Sequence, residues 1–136
     1  MHLLAGEAGR IEDGGAAVDL DQPPGDIIFL SAADSELAAL GRAAAARPDG
    51  PSLRLANLAR LAHPLSVDLY TEKTLGHARL VVVRMMGGAG YWPYGLERLR
   101  ALARAGGPAL AVVPGDSQWD AALEAFTDID GEAARR

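Results

Sequence analysis

Short, almost unbroken apolar runs alternate along this chain with stretches whose apolar residues recur at helical spacing. The strongest runs are residues 26–30 (DIIFL) and 79–85 (RLVVVRM), and continuous apolar runs of this length are typical of strands covered on both faces. The alternation predicts an α/β domain with an open, mostly parallel sheet and flanking helices, a Rossmann-like or flavodoxin-like three-layer arrangement. We expect these two runs to form its central strands.

The remaining elements follow from the same periodicities. Further strands are predicted at residues 1–4, 52–55 and 109–113, with a minor edge strand at 16–20. Helices are predicted at residues 32–47, 67–75, 95–105 and from about 117 to 126, where Trp119, Ala122, Leu123 and Phe126 share one face. Ser31 and Ser66 stand where helix N-caps belong. A single domain over residues 1–127 and a frayed tail at 128–136 are expected.

Composition and charge exclude several classes of function. The chain has no cysteine, so it can form neither a disulfide framework nor a thiolate metal site. Its net charge is −5, which argues against a nucleic-acid partner, and no apolar run approaches the length of a membrane helix. The first residues lack the pattern of a signal peptide. We therefore expect a cytoplasmic protein with no nucleic-acid or membrane partner.

A glycine-rich turn follows the predicted central strand 79–85 and precedes the helix 95–105. Gly88 and Gly90 occupy the first two glycine positions of a dinucleotide-binding loop, but Pro93 stands at the third, so that spacing fails. One interpretation is a turn beside an aromatic cluster formed by Tyr91, Trp92 and Tyr94. The other is a phosphate or carboxylate site at the start of the helix.

His63, Asp68 and Glu72 form one candidate polar site. Asp68 and Glu72 are four residues apart on a predicted helix and so share a face, and His63 lies just before that helix. A histidine with two carboxylates can hold a divalent ion or transfer a proton. The alternative is that these residues set a turn and cap the helix. No catalytic residue is assigned, and whether a metal binds here stays open.

Several motifs occur together in one order between residues 53 and 99: Asn-Leu at 57–58, HPLSVDLY at 63–70, the run 79–84, Gly-Gly at 87–88 and YWPYG at 91–95. This order resembles the amino-terminal region of the large subunit of aerobic cobaltochelatase, a family related to the large subunit of magnesium chelatase. The resemblance extends from residue 1 to about 127. It covers only the front of the family's much longer polypeptide.

The resemblance implies a pathway and a set of partners. The family's reaction is the ATP-driven insertion of Co²⁺ into the corrin hydrogenobyrinic acid a,c-diamide during cobalamin synthesis. Implied partners are the remainder of the large subunit, two smaller subunits including an ATPase, and the corrin. By this resemblance, the parent complex uses Co²⁺ and ATP with Mg²⁺. The chain itself has no Walker-type phosphate loop with which to bind ATP. We expect no cofactor on this domain, which would act as a scaffold or lid.

The sequence is also compatible with two other functions. A free-standing flavodoxin-like module for a small ligand and a pure interaction domain both fit the element pattern. Within the resemblance, Tyr91, Trp92 and Tyr94 either stack on the tetrapyrrole or contact the rest of the large subunit. The competing expectation is that these aromatic rings pack into the core of the domain itself.

Overall fold

The computed structural model describes residues 17–115 and 124–127. Within these residues, four strands and three helices alternate, with short 3₁₀ turns between some of them. Their bounds are β1 (Ile27–Ser31), α1 (Asp34–Ala45), β2 (Leu53–Asn57), a turn at Leu58–Leu61, α2 (Pro64–Lys73), a turn at Leu75–His77, β3 (Leu80–Met85), a turn at Ala89–Tyr91, α3 (Pro93–Arg104) and β4 (Ala109–Pro114).

All of the strands lie in one parallel sheet in the order β2-β1-β3-β4. The prediction of an α/β fold with an open parallel sheet is confirmed, and the two strongest apolar runs are its central strands. Parallel neighbours require crossover connections, which are right-handed in nearly all proteins. The chain passes from β1 to the edge strand β2 and then back across the sheet to β3, so α1 covers one face of the sheet, and α2 and α3 pack together on the other.

The main core lies between the sheet and the α2–α3 layer. Alternate residues of β1, β3 and β4 point into it and are almost completely buried: Ile28, Leu30, Val81, Val83, Met85, Leu110 and Val112. From the other side, Leu58, Leu61, Val67, Leu96 and Leu99 complete the same cluster. The intervening strand residues face α1. In β1, two of these residues, Ile27 and Phe29, are only half-buried. Burial is therefore concentrated on one face of the sheet.

Both serine caps that the sequence predicts are misplaced. Ser31 is the last residue of β1, and the N-cap of α1 is Ala33, whose N–H donates to the Ser31 hydroxyl over 3.0 Å. The N-cap of α2 is His63, not Ser66, and its Nδ1 accepts from the N–H of Leu65. Proline is favourable at the first helical position because it needs no N–H partner there, so α2 begins at Pro64.

The segment before β1 is held against α2 by side chains. The Tyr70 hydroxyl donates to Oε1 of Gln22 over 2.5 Å, and the Thr74 hydroxyl donates to the Gln22 carbonyl. Lys73 forms an ion pair with Asp19, which raises the pKa of the lysine and lowers that of the aspartate. Arg54 of β2 also donates to the carbonyls of Pro23 and Pro24, so this segment contacts both α2 and β2.

Side chains occupy backbone groups at both edges of the sheet. At the β4 edge, the Thr127 hydroxyl accepts from the N–H of Val112 and donates to its carbonyl. At the β2 edge, Nε2 of Gln22 donates to the carbonyl of Leu55, and Nη1 of Arg54 donates to the carbonyl of Leu53. Occupied edge groups hinder pairing with another chain, which is a common protection of exposed strands.

Some expectations fall outside the described residues: the strand at residues 1–4, most of the helix at 117–126 and the tail at 128–136. The full extent of the predicted domain, 1–127, is for the same reason not tested. Residues 17–20 lie in the described part of the chain and form no strand. Among the described residues, no helix is long and apolar enough to cross a membrane.

We predict that Leu30→Ala lowers the free energy of unfolding by about 3 kcal/mol, because it leaves a cavity at the centre of the main core. The control is Leu65→Ala, at a position that is 50% exposed, where a change within about 0.5 kcal/mol is expected. Chemical denaturation followed by circular dichroism measures both. Equal losses in the two variants would contradict this description of the core.

Candidate functional site at the carboxyl end of the sheet

A row of three polar residues crosses the carboxyl end of the sheet. Ser31 is in register with Asn57 on one side and with Arg84 on the other. In open parallel sheets, ligands bind outside this end, at the point where the strand order reverses. Here the order reverses between β1 and β3, so the row lies at the place where a binding site is expected.

The first turn of α1 contacts every member of this row. Glu36 accepts a hydrogen bond from the buried Ser31 hydroxyl over 2.7 Å and forms an ion pair with Arg84 over 2.5 Å. Asp34 accepts from Nδ2 of Asn57 over 2.7 Å. These contacts pair each carboxylate of the turn with a donor of the sheet. The network positions α1 and does not direct a free charged group at a ligand.

Arg84 also connects the network to the end of β4. Its Nη2 donates to the carbonyl of Gly115 over 2.9 Å. Its Nε is buried without a hydrogen-bond partner. Sequence reasoning missed Ser31, Glu36 and Arg84 as a group, and the available signal was an arginine directly after three valines of a buried strand.

The glycine turn after β3 contains one residue in the left-handed region of backbone conformation. Gly88 has φ of 77°, a conformation that favours glycine. The Tyr91 ring lies against Gly87, where a Cβ atom would be 3.0 Å from the ring. Gly90 faces open space. The turn therefore supports an aromatic residue, and ligand binding by Gly88 and Gly90 stays a prediction.

Trp92 lies in the main core with 3% of its surface exposed. Its indole Nε1 donates to the carbonyl of Leu61 over 2.9 Å, which connects the end of the glycine turn to the turn before α2. A Cβ atom at Gly95 would overlap the indole ring, so the buried tryptophan requires glycine one helical turn later. The Trp92 ring thus packs in the core of the domain itself, and ligand or partner contact by Tyr91, Trp92 and Tyr94 stays a prediction.

Tyr94 is the most exposed member of the aromatic cluster, at 40%. Its hydroxyl donates to Oδ1 of Asp68 over 2.7 Å, and Nε of Arg98 donates to the same oxygen over 3.1 Å. The bond to Asp68 is the main reason that the pKa of the Tyr94 phenol is raised. Leu65, which is half-exposed and precedes Asp68 by one helical turn, lies on the same side of α2.

The three residues of the predicted polar site have separate roles. His63 caps α2 through Leu65, and Asp68 is engaged by Tyr94 and Arg98. Glu72 is exposed. Within residues 17–115 and 124–127, no group of three or more histidine, cysteine, aspartate or glutamate side chains could hold a metal ion. The capping role that the sequence also allowed for His63 is the role it has.

Comparison with known proteins supplies the family context. The chain is 48% identical over its whole length to aerobic cobaltochelatase subunit CobN of Sinorhizobium sp, and 44% identical to the subunit of the same name from Pseudomonas aeruginosa. The resemblance to the cobaltochelatase large subunit is confirmed. The chain spans 11% of the length of each of these CobN subunits. No family model and no solved structure matches it.

Two of the sequence motifs that carry the resemblance lie at the carboxyl end of the sheet. The HPLSVDLY motif forms the start of α2, and the YWPYG motif connects the glycine turn to α3. The two motifs touch through Tyr94 and Asp68, and Trp92 of the second also bonds to Leu61, just before the first. These contacts form a clasp between the start of α2 and the start of α3, called here the α2–α3 clasp.

We predict that Trp92→Phe lowers the free energy of unfolding by about 2 kcal/mol, because the buried carbonyl of Leu61 loses its indole donor. Tyr94→Phe is the matched control. It also removes one hydrogen bond, but at an exposed position where a change within about 0.5 kcal/mol is expected. Urea denaturation compares the two. A loss in the control as large as that in Trp92→Phe would contradict the buried role of the indole.

We predict that Asp68→Asn lowers the pKa of Tyr94 toward its ordinary value of 10.0, because the carboxylate that favours the neutral phenol is removed. The folded state stabilises the neutral phenol, so this contribution to stability is present at neutral pH and is lost as pH rises through the raised pKa. NMR titration of the tyrosine ring carbons measures the shift. Glu72→Gln on the same helix should leave the Tyr94 titration unchanged, and an unchanged titration in Asp68→Asn would refute the assignment.

Proposed function

We propose that this chain is the amino-terminal domain of a cobaltochelatase large subunit and acts there as a scaffold or lid. The observation that carries the proposal is the 44–48% identity to CobN subunits along the whole chain. In the proposed complex, Co²⁺ is inserted into hydrogenobyrinic acid a,c-diamide at the expense of ATP. Two smaller subunits, one of them an ATPase, supply the energy.

A scaffold role agrees with how the charges are arranged in the described residues. At the carboxyl end of the sheet, Glu36 is engaged by Arg84, Asp34 by Asn57 and Asp68 by Arg98. A catalytic group needs a free lone pair or proton within reach of the substrate. Carboxylates that are paired or hydrogen-bonded in this way instead stabilise the positions of loops and helices, and a scaffold domain requires such stable positions.

The proposal assigns the contact with the remainder of the subunit, or with the corrin, to the surface around Tyr94. The exposed Leu65 and Tyr94 lie on either side of Asp68 at the carboxyl ends of the strands. Aromatic and aliphatic side chains contribute most of the energy of protein contacts when they become buried. Trp92 contributes indirectly, because its buried indole fixes the start of α3 and therefore the position of Tyr94.

We predict that the isolated chain neither inserts cobalt nor hydrolyses ATP. In the complete large subunit, we predict that Tyr94→Ala slows cobalt insertion about fivefold, because it removes an aromatic contact. Corrin absorbance follows insertion by the assembled complex, and size-exclusion chromatography follows assembly. Tyr94→Phe keeps the ring and should retain nearly normal rates. Cobalt insertion by the isolated chain, or a Tyr94→Ala complex with unchanged rate and assembly, would overturn the proposal.

A further inference from the structure

A groove of about 530 Å³ lies on the outer side of β2, away from the α2–α3 clasp. Residues 20–23 form one wall, the first turns of α1 form the other, and the carboxyl end of β2 forms the floor. Three half-buried leucines, Leu20, Leu37 and Leu55, supply apolar surface to its lining, and polar residues supply much of the rest. A volume of this size accommodates a small ligand or several side chains of a peptide.

The polar groups around the groove leave one unmatched charge. Asp34 is engaged by Asn57, and Asp21 is engaged by Lys73 over 3.3 Å. Gln22 uses both ends of its amide, on Leu55 and Tyr70. Arg60 is exposed at the rim and makes no hydrogen bond or ion pair with the described part of the chain. The groove therefore offers leucine surface for an apolar side chain and one guanidinium group with no partner among the described residues.

We propose that this groove binds an extended peptide segment from the remainder of the large subunit, with an apolar side chain on Leu37 and Leu55 and a carboxylate paired with Arg60. The inference rests on the proposed function, because it assumes that the chain is part of a longer CobN-type polypeptide. The matched CobN subunits are about nine times as long as this chain, so the domain has a large neighbour to contact.

The chemistry of the floor determines how such a segment binds. The carbonyl of Leu55 is already occupied by Gln22, and that of Leu53 by Arg54. An added strand would have to displace these side chains before it could pair with β2. Recognition therefore depends on side chains: burial of an apolar group gives affinity, and the charge at Arg60 gives orientation.

The experiment is photo-cross-linking in the complete large subunit, with benzoylphenylalanine at position 37 inside the groove and, in a second variant, at position 21 on its rim. Mass spectrometry identifies the joined peptide. We expect a segment beyond residue 136 that contains aspartate or glutamate beside an apolar residue. Arg60→Glu should lower the yield about threefold, because it reverses the charge that pairs with the segment. Arg104→Glu, at an exposed arginine on α3, should not change it.

Other outcomes overturn the inference. Products joined only to residues 1–16 would identify the chain's own first segment as the occupant, and products between two subunits would identify a second copy. No product from either probe position, or an equal loss with Arg60→Glu and Arg104→Glu, would show that the groove has no such partner. If Tyr94→Ala slows cobalt insertion while these products are absent, only the groove assignment fails. An unchanged rate in Tyr94→Ala argues against the proposed function itself.

Discussion

The pairing of β1 with β3 is the interaction on which the rest of the structure depends. Their parallel register places residues 27–31 beside residues 80–84, although more than 50 positions separate them along the chain. To make this pairing, the chain leaves β1 through α1 and β2 and then crosses back over the sheet through α2. The reversal assigns α1 to one face and the α2–α3 layer to the other. It also opens the crevice at which the polar row lies, because the loops after β1 and β3 diverge there.

The two faces of the sheet are stabilised by different physical means. On the α2–α3 face, apolar burial dominates, and the hydrogen bond from Trp92 to the carbonyl of Leu61 is made inside this buried cluster. On the α1 face, polar contacts hold the helix against the sheet. Helix α1 has no buried residue, and Glu36 and Asp34 connect its first turn to the sheet. The side of the domain that carries α2 and α3 therefore depends on buried apolar packing, and the side that carries the groove depends more on hydrogen bonds and an ion pair.

The sequence predicted the central strands because a strand buried on both faces leaves an unbroken apolar run, a signal contained within one element. It misplaced the start of α2 because Ser66 resembles a cap, whereas Pro64 is favourable at the first helical position and His63 supplies the capping nitrogen. The polar row was missed for another reason. Asn57, Ser31 and Arg84 become neighbours only through strand register, and no pattern within one segment reports register across a sheet. The aromatic cluster was recognised as a unit, but its members differ in burial: Trp92 is in the core, Tyr91 packs partly buried against it, and Tyr94 is exposed.

The close approach of Trp92 to Gly95 has a consequence for how this sequence can diverge. Any side chain at position 95 would have to expel the indole, and a smaller residue at position 92 would leave a void that glycine cannot fill. The two positions therefore constitute one epistatic pair, in which each substitution is harmful until the other accompanies it. The indole N–H donates to the backbone carbonyl of residue 61, so this hydrogen bond does not depend on which side chain residue 61 carries. Amino-acid substitutions should therefore accumulate slowly at positions 92 and 95 of this clasp, and faster at exposed neighbours such as Pro93.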